Sequence, residues 1–294
     1  MNWKNIKFFL IILLLVVNIF LAVMLIGRTS IKVYDKEATE NISELLSESG
    51  IFVDKKFLNI KDKDSKVYAC NIESDYSAKI ASKLMGEYEE AFATPYGAEF
   101  FAKDSFLKID EDFQFSYSKI GFSLQEPKND MTDDEVKLLK EKLAKLLGTD
   151  FKLISAKKQD SAEYALVMQT FDEKSIENHT LECYFDGDTP VYVDGKWCFL
   201  SIDESFSAHT LDSVNILFIE KSALDLSKEK NEVVPQKLTV KDMSICYCSH
   251  ISLDGSKLYL MPSWRIQWVE DGINDTYYNA VNGEKNIIPN LNIN

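Results

Sequence analysis

Cys246, Cys248 and His250 follow one another at intervals of two, and thiolate and imidazole are the usual ligands of zinc. The stretch around them reads as a β-strand, where side chains two apart point the same way at roughly 6.8 Å. Two sulfurs sharing one zinc, each roughly 2.3 Å from it, stand only about 4 Å apart. The spacing argues against a metal, and neither a metal nor another cofactor is expected. Asp186-Gly187-Asp188 begins like a calcium loop, but Val191 occupies the sixth position, where glycine is needed, and Trp197 the twelfth, where glutamate belongs. It reads as a turn. Ser155-x-x-Lys158 has the spacing of a serine nucleophile with a lysine base, yet Ser227-x-x-Lys230 matches equally and no KTG or SDN companion exists. There is no G-x-S-x-G, P-loop, G-x-G-x-x-G or H-E-x-x-H, and His179, His209 and His250 stand apart. The chain is expected not to be an enzyme. A wall-active glycosidase stays open as a minor reading, which two carboxylates facing each other across a cleft would support.

The elements that must carry these residues alternate in type along the chain. Lys36 to Ser49 has helical periodicity through Ala38, Ile42, Leu45 and Leu46 and meets a stop at Gly50. A strand at Lys66 to Ile72 and a helix at Asp75 to Glu90 follow. Phe100 to Ile109 and Phe113 to Ile120 read as a hairpin around Asp110-Glu111-Asp112. The polar stretch Leu124 to Glu135, with Pro127, suits a domain junction. Thr132 and Glu135 form a capping box that opens a helix running to Gly148, with Val136, Leu139, Leu143 and Leu146 as its apolar stripe. Strands are expected at Phe151 to Ala156, Tyr164 to Phe171, Leu181 to Phe185 and Val191 to Ile202. Turns are expected at Asp186-Gly187-Asp188 and Asp194-Gly195, and a helix at Leu211 to Leu224. Strands at Lys237 to Tyr247, Lys257 to Val269 and Thr276 to Val281 close the chain. In the middle one Leu258, Leu260, Trp264, Ile266 and Trp268 share a face, which makes both tryptophans core residues. The five cysteines, Cys70, Cys183, Cys198, Cys246 and Cys248, read mostly as buried apolar side chains, with a Cys183 to Cys198 disulfide left open.

Ahead of all this lies Phe8 to Gly27, twenty residues without a charge, long enough as a helix to cross a hydrocarbon core of roughly 30 Å. It is longer than the apolar part of a cleaved signal peptide, so it is expected to stay as a membrane anchor. Lys4 and Lys7 precede it, whereas Arg28, Lys32 and Lys36 behind it are interleaved with Asp35 and Glu37. That bias places the amino terminus in the cytoplasm and the remainder outside it, a single pass of the cell membrane. Within the span Asn18 has an amide that lipid cannot satisfy. It bonds either a neighbouring helix or the backbone carbonyl at position 14. Leu14, Leu21 and Ala22, with Leu15, lie on its face of the helix, which makes Leu14, Asn18, Leu21 and Ala22 the expected contact with a partner inside the membrane. All 47 acidic residues and 31 of the 33 basic ones lie beyond residue 27, a net charge of −16, which excludes nucleic acid as a partner.

Two sets of residues carry a family resemblance. The chain opens Met1-Asn2-Trp3-Lys4-Asn5-Ile6-Lys7 and carries Asn18-Ile19-Phe20-Leu21 in its apolar run; near its end stand Pro262-Ser263-Trp264-Arg265-Ile266, Tyr277-Tyr278-Asn279-Ala280 and Gly283-Glu284. In order and position these resemble the YycI family, membrane-anchored regulators of the WalK (YycG) sensor histidine kinase in Gram-positive bacteria. The resemblance implies an extracytoplasmic fold shared with the YycH family. It also implies a function, control of a kinase of cell-wall turnover together with a YycH-like protein. The expected architecture is α+β: a transmembrane helix within residues 1–28, then two small lobes of helices packed on antiparallel sheets, at 29–127 and 128–294. The alternative is an extracytoplasmic sensor that holds a wall fragment or peptide in a groove between the lobes.

Overall fold

The computed structural model describes residues 34–286, apart from residues 61–64, 73–74, 95–96, 111, 124–127, 149, 231, 233, 236, 253–254 and 270–272. The apolar run at 8–27, with Leu14, Asn18, Leu21 and Ala22, lies outside the described residues, as does the start of the Leu124 to Glu135 stretch. Among the described residues no helix is long and apolar enough to cross a membrane.

Four α-helices form where caps and stripes direct them. Helix α1 (Lys36–Glu48) starts at Asp35, whose carboxylate accepts from the Ala38 N–H at 2.8 Å. It buries Thr39, Ile42 and Leu46 and leaves Leu45 out. Helix α2 (Tyr76–Met85) is shorter than its periodicity suggested, because Gly86 takes a positive φ of 72° and ends it. Helix α3 (Asp133–Leu147) has the expected capping box, with the Thr132 N–H and hydroxyl both donating to Glu135 Oε2 at 2.8 Å. Helix α4 (Ser213–Glu229) begins at Asp212, which accepts from the Asn215 N–H at 2.9 Å.

Strands dominate the rest. They are β1 (Ile51–Phe52), β2 (Lys66–Asn71), β3 (Glu90–Thr94), β4 (Gly97–Ala102), β5 (Ser105–Asp110), β6 (Gln114–Lys119), β7 (Asn129–Asp130) and β8 (Phe151–Gln159). They continue with β9 (Ala162–Phe171), β10 (Lys174–Asp186), β11 (Thr189–Lys196), β12 (Ser201–Ser207), β13 (Leu238–Ile251), β14 (Lys257–Val269), β15 (Ile273–Asn279) and β16 (Lys285–Asn286). All sixteen belong to one sheet, whose main path is β12-β2-β14-β13-β10-β11-β6-β5-β4-β3. It is mixed, since β1 and β10 run parallel to β13 while the remaining pairs are antiparallel. Pairing joins residues on either side of position 127, as in β2 with β12 and β6 with β11.

This corrects the expected architecture. In place of two small lobes of helices packed on antiparallel sheets there is one continuous mixed sheet with four helices as the minor part. The difference comes from strand length. The sequence pattern cuts β10 down to Leu181–Phe185, because Glu177, Asn178 and His179 break the apolar alternation, yet the strand runs through them from Lys174. Strand β13 likewise continues past Tyr247 to Ile251. Asp194-Gly195 is not a turn. Gly195 lies inside β11 opposite Leu181, at a φ of 132°, and a Cβ there would sit 2.1 Å from the Thr180 carbonyl oxygen. Finally, Phe100 to Ile109 is two strands, folded at Lys103 and Asp104 between β4 and β5.

Two cores fill the space between sheet and helices. Helices α2 and α3 cover the first, where Ile80, Leu139 and Leu143 meet Leu107, Val193 and Trp197. Helices α1 and α4 cover the second, where Leu46 and Leu217 meet Leu238, Trp264 and Trp268. Strand β14 feeds both, with Leu258 and Leu260 in the first and Trp264, Ile266 and Trp268 in the second. Burying each such side chain stabilises the fold by roughly 1.5–3 kcal/mol. The indole N–H groups are satisfied too: Trp264 donates to the Leu211 carbonyl at 2.9 Å and Trp268 to the Thr276 hydroxyl at 2.8 Å.

Candidate functional site

The two halves of the sheet meet where the first residues of β10 run beside β13, with Ile176 opposite Tyr247. A strand crossing from one half to the other cannot bury only apolar groups there, and its polar run Glu177-Asn178-His179 enters two networks. In the first, His179 is fully buried between Gln169 of β9 and Ser249 of β13, each 2.7 Å from a ring nitrogen. The Gln169 amide is fixed by Cys198, whose N–H donates to Oε1 at 3.2 Å and whose carbonyl accepts from Nε2 at 2.6 Å. Oε1 is therefore an acceptor, so His179 Nδ1 carries the proton and Nε2 accepts from the Ser249 hydroxyl. Asn178 closes the loop, donating to the Ser249 carbonyl at 3.0 Å and accepting from its N–H at 2.9 Å.

Serine, histidine and glutamine in this order repeat the contacts of a nucleophile, a base and its orienter. Their surroundings do not suit that chemistry. Burial, and then the Lys196 charge, hold the His179 imidazole well below its usual range, so the cation a base must become is disfavoured. The orienter is a neutral amide that cannot stabilise such a cation, and Ser249 is only 5 % exposed. The arrangement works as a satisfied internal tie between β9, β10 and β13.

In the second network Glu177, 3 % exposed, accepts from the Ser175 hydroxyl and from the Tyr277 phenol, the latter at 3.1 Å. Arg265 Nε and Nη2 both bond Asp275 Oδ2, at 2.9 and 2.7 Å. Burial first, and then Glu177 and Asp275, push the Tyr277 phenol far up, so it remains a donor at any physiological pH. Cys246 and Cys248 pack against Tyr277 on this side of the sheet, and Cys246 donates to the Ser263 carbonyl at 3.3 Å. Burial raises the Cys246 thiol, which keeps it protonated. All five cysteines are free and buried, so Cys183 and Cys198 form no disulfide. His250 is exposed at the end of the run, and among the described residues no group of three His, Cys, Asp or Glu side chains could hold a metal ion.

Neither network was visible in the sequence as a site, because the members of the two come from five strands, β9, β10, β13, β14 and β15, and from Cys198 beyond β11. The available signal was the polar interruption at 177–179 inside an otherwise apolar strand. The expected contact residues Leu14, Asn18, Leu21 and Ala22 lie outside the described residues. Two apolar voids, one beside Trp197 and Phe199 and one beside Cys70 and Tyr76, measure ≈ 10 Å³ each, enough for about one water. A third depression of ≈ 560 Å³ lies open along Asp75, Lys79, Ser82 and Tyr88.

No family model matches the chain, and no curated protein does either. Among solved structures it is similar to an uncharacterized protein from Eubacterium rectale, at 13% identity and a TM-score of 0.45 over 85% of this chain and 98% of the other. It is also similar to the C-terminal domain of YpeB from Bacillus megaterium, at 10% identity and a TM-score of 0.32 over 84% and 94%. YpeB is a different family from the YycI one that the end motifs resemble, and no comparison names YycI.

Proposed function

We propose that the chain is a YycI-like, membrane-anchored accessory regulator of a WalK-like sensor histidine kinase, acting outside the cytoplasm with a YycH-like partner and not as an enzyme. The observation that carries this reading is the order of the end motifs. Residues 262–266 and 277–280, which resemble YycI in sequence, occupy neighbouring strands: Trp264 is opposite Tyr278 and Arg265 opposite Tyr277. Motifs so placed specify one piece of structure instead of two unrelated matches. The absence of charge from Phe8 to Gly27, with Asn18 inside it, supplies a means of contact with another membrane helix.

The two apolar voids are far smaller than the roughly 300–1,000 Å³ a drug-sized ligand needs, and the ≈ 560 Å³ depression is an open one lined by Asp75, Lys79, Ser82 and Glu87 and not an apolar pocket, which favours an interaction protein over a sensor of small ligands. The test is Asn18→Leu in the full chain, scored by two-hybrid pairing or co-purification with the kinase encoded nearest to it. Weaker pairing is expected, and pairing as strong as wild type removes Asn18 from the mechanism.

A further inference from the structure

Helices α2 and α3 cover one face of the β3–β6 and β8–β11 part of the sheet, and α1 and α4 give their buried apolar side chains to the second core. Among the described residues no helix packs on the opposite face. Strand register places one cross-strand row there: Tyr164, Tyr184, Tyr192, Ser118, Phe106 and Phe101 stand opposite one another in succession across β9, β10, β11, β6, β5 and β4. Tyr164 and Tyr184 have ring centroids 4.9 Å apart, Tyr184 and Tyr192 5.7 Å, and Phe101 and Phe106 4.9 Å. Phe122 packs on both Tyr184 and Tyr192 from outside the row; Tyr184 is buried, whereas Tyr192, Phe106 and Phe101 stay half-exposed.

The adjacent row contains a pairing that sheets ordinarily avoid. Glu182 of β10 stands directly opposite Asp194 of β11, whereas two strands further on Glu99 faces Lys108. Like charges directly opposite destabilise a strand pair. Among the described residues the side chain of neither Glu182 nor Asp194 has an ion pair or a hydrogen bond, and burial together with Asp194 raises the Glu182 carboxyl above its usual range. Two carboxylates beside aromatic rings suit a cation: the ring faces attract it, and the carboxylates neutralise it.

We propose that this helix-free face docks a partner protein through a segment rich in arginine or lysine. The inference rests on reading the chain as a binding regulator and supplies its extracytoplasmic contact surface. Charge decides the occupant. A second copy of this chain, at a net charge of −14, would set acid against acid, while a basic segment relieves the Glu182–Asp194 repulsion.

The test uses the full chain in phosphatidylcholine nanodiscs and two synthetic peptides, one alternating Arg with Leu and Ser, the other with Glu in place of Arg. Fluorescence anisotropy should show the Arg peptide binding in a salt-sensitive way, the Glu peptide not binding, and E182Q/D194N weakening the Arg peptide by about tenfold. Tyr192→Ala should weaken it as well, and E44Q/E48Q, on the exposed side of α1, should not. Thermal melting confirms folding, and E182Q/D194N should melt no lower than wild type. Equal affinity for E182Q/D194N and wild type would overturn the proposal. So would an equal loss in E44Q/E48Q, or binding of the Glu peptide. The Asn18→Leu assay reads the membrane contact and not this face, so weakened kinase pairing with failed peptide binding sinks the docking surface alone, whereas unchanged pairing with Arg-peptide binding sinks the membrane-contact reading alone.

Discussion

Strand β10 carries charge and polarity into two environments that treat them oppositely. In its first half Glu177 and His179 are buried and Asn178 is half-buried, and each finds hydrogen-bond partners on neighbouring strands. In its second half Glu182 is half-buried on the helix-free face, opposite another carboxylate. The first half uses its polarity to hold the sheet together, and the second sets two carboxylates face to face with no ion pair among the described residues. A buried polar group is tolerated when its network is complete, whereas a surface mismatch persists at low cost and is informative about partners.

The contrast can be broken most forcefully at Arg265. Arg265→Met removes the cation beside Asp275 and Glu177 in the buried network, and the expected loss, read by urea unfolding, is about 3–5 kcal/mol. A loss under 1 kcal/mol would mean that the network is only loosely held. His179→Asn is expected to lose about 2–3 kcal/mol by leaving Gln169 or Ser249 short of a partner. It also sharpens the comparison through pH. Because burial depresses the His179 pKa in the folded state, its contribution to stability is present above the free imidazole's value of about 6.5 and lost as pH falls below it. The variant should lack that part of the pH slope, and an unchanged slope would exclude His179 as its source. The smallest effect has the opposite sign. Glu182→Gln should stabilise the fold by a few tenths of a kcal/mol at neutral pH. The folded pKa of Glu182 is raised, so its ionisation costs stability as pH rises through that value, and the gain from glutamine should disappear in acid, below the unfolded carboxyl's range. Destabilisation at neutral pH would show that Glu182 has a partner after all.

Much of the local structure was legible. The Thr132–Glu135 box and Gly148 bound α3 as expected, β14 has the expected ends at Lys257 and Val269, and Trp264 and Trp268 are core residues. Joining these elements was not legible, because strand order depends on contacts far apart in the chain, such as β2 beside β14. Polar residues misled for the same reason: Glu177 and His179 look like a break in a strand until Tyr277 and Ser249 are placed next to them. Glycine misled at Gly195, where absence of a side chain serves close approach of a neighbouring strand and not a reversal of direction. The aromatic row is spread from Phe101 to Tyr192 and exists only once register is known.

Strand β14 lends three large side chains to one core and two to the other along a single backbone. Neither half can melt while the other stays intact without tearing that strand in the middle. Calorimetry should accordingly record one peak with matching calorimetric and van't Hoff enthalpies, and a disturbance at either end of the molecule should be felt as a change in the thermal resistance of the whole.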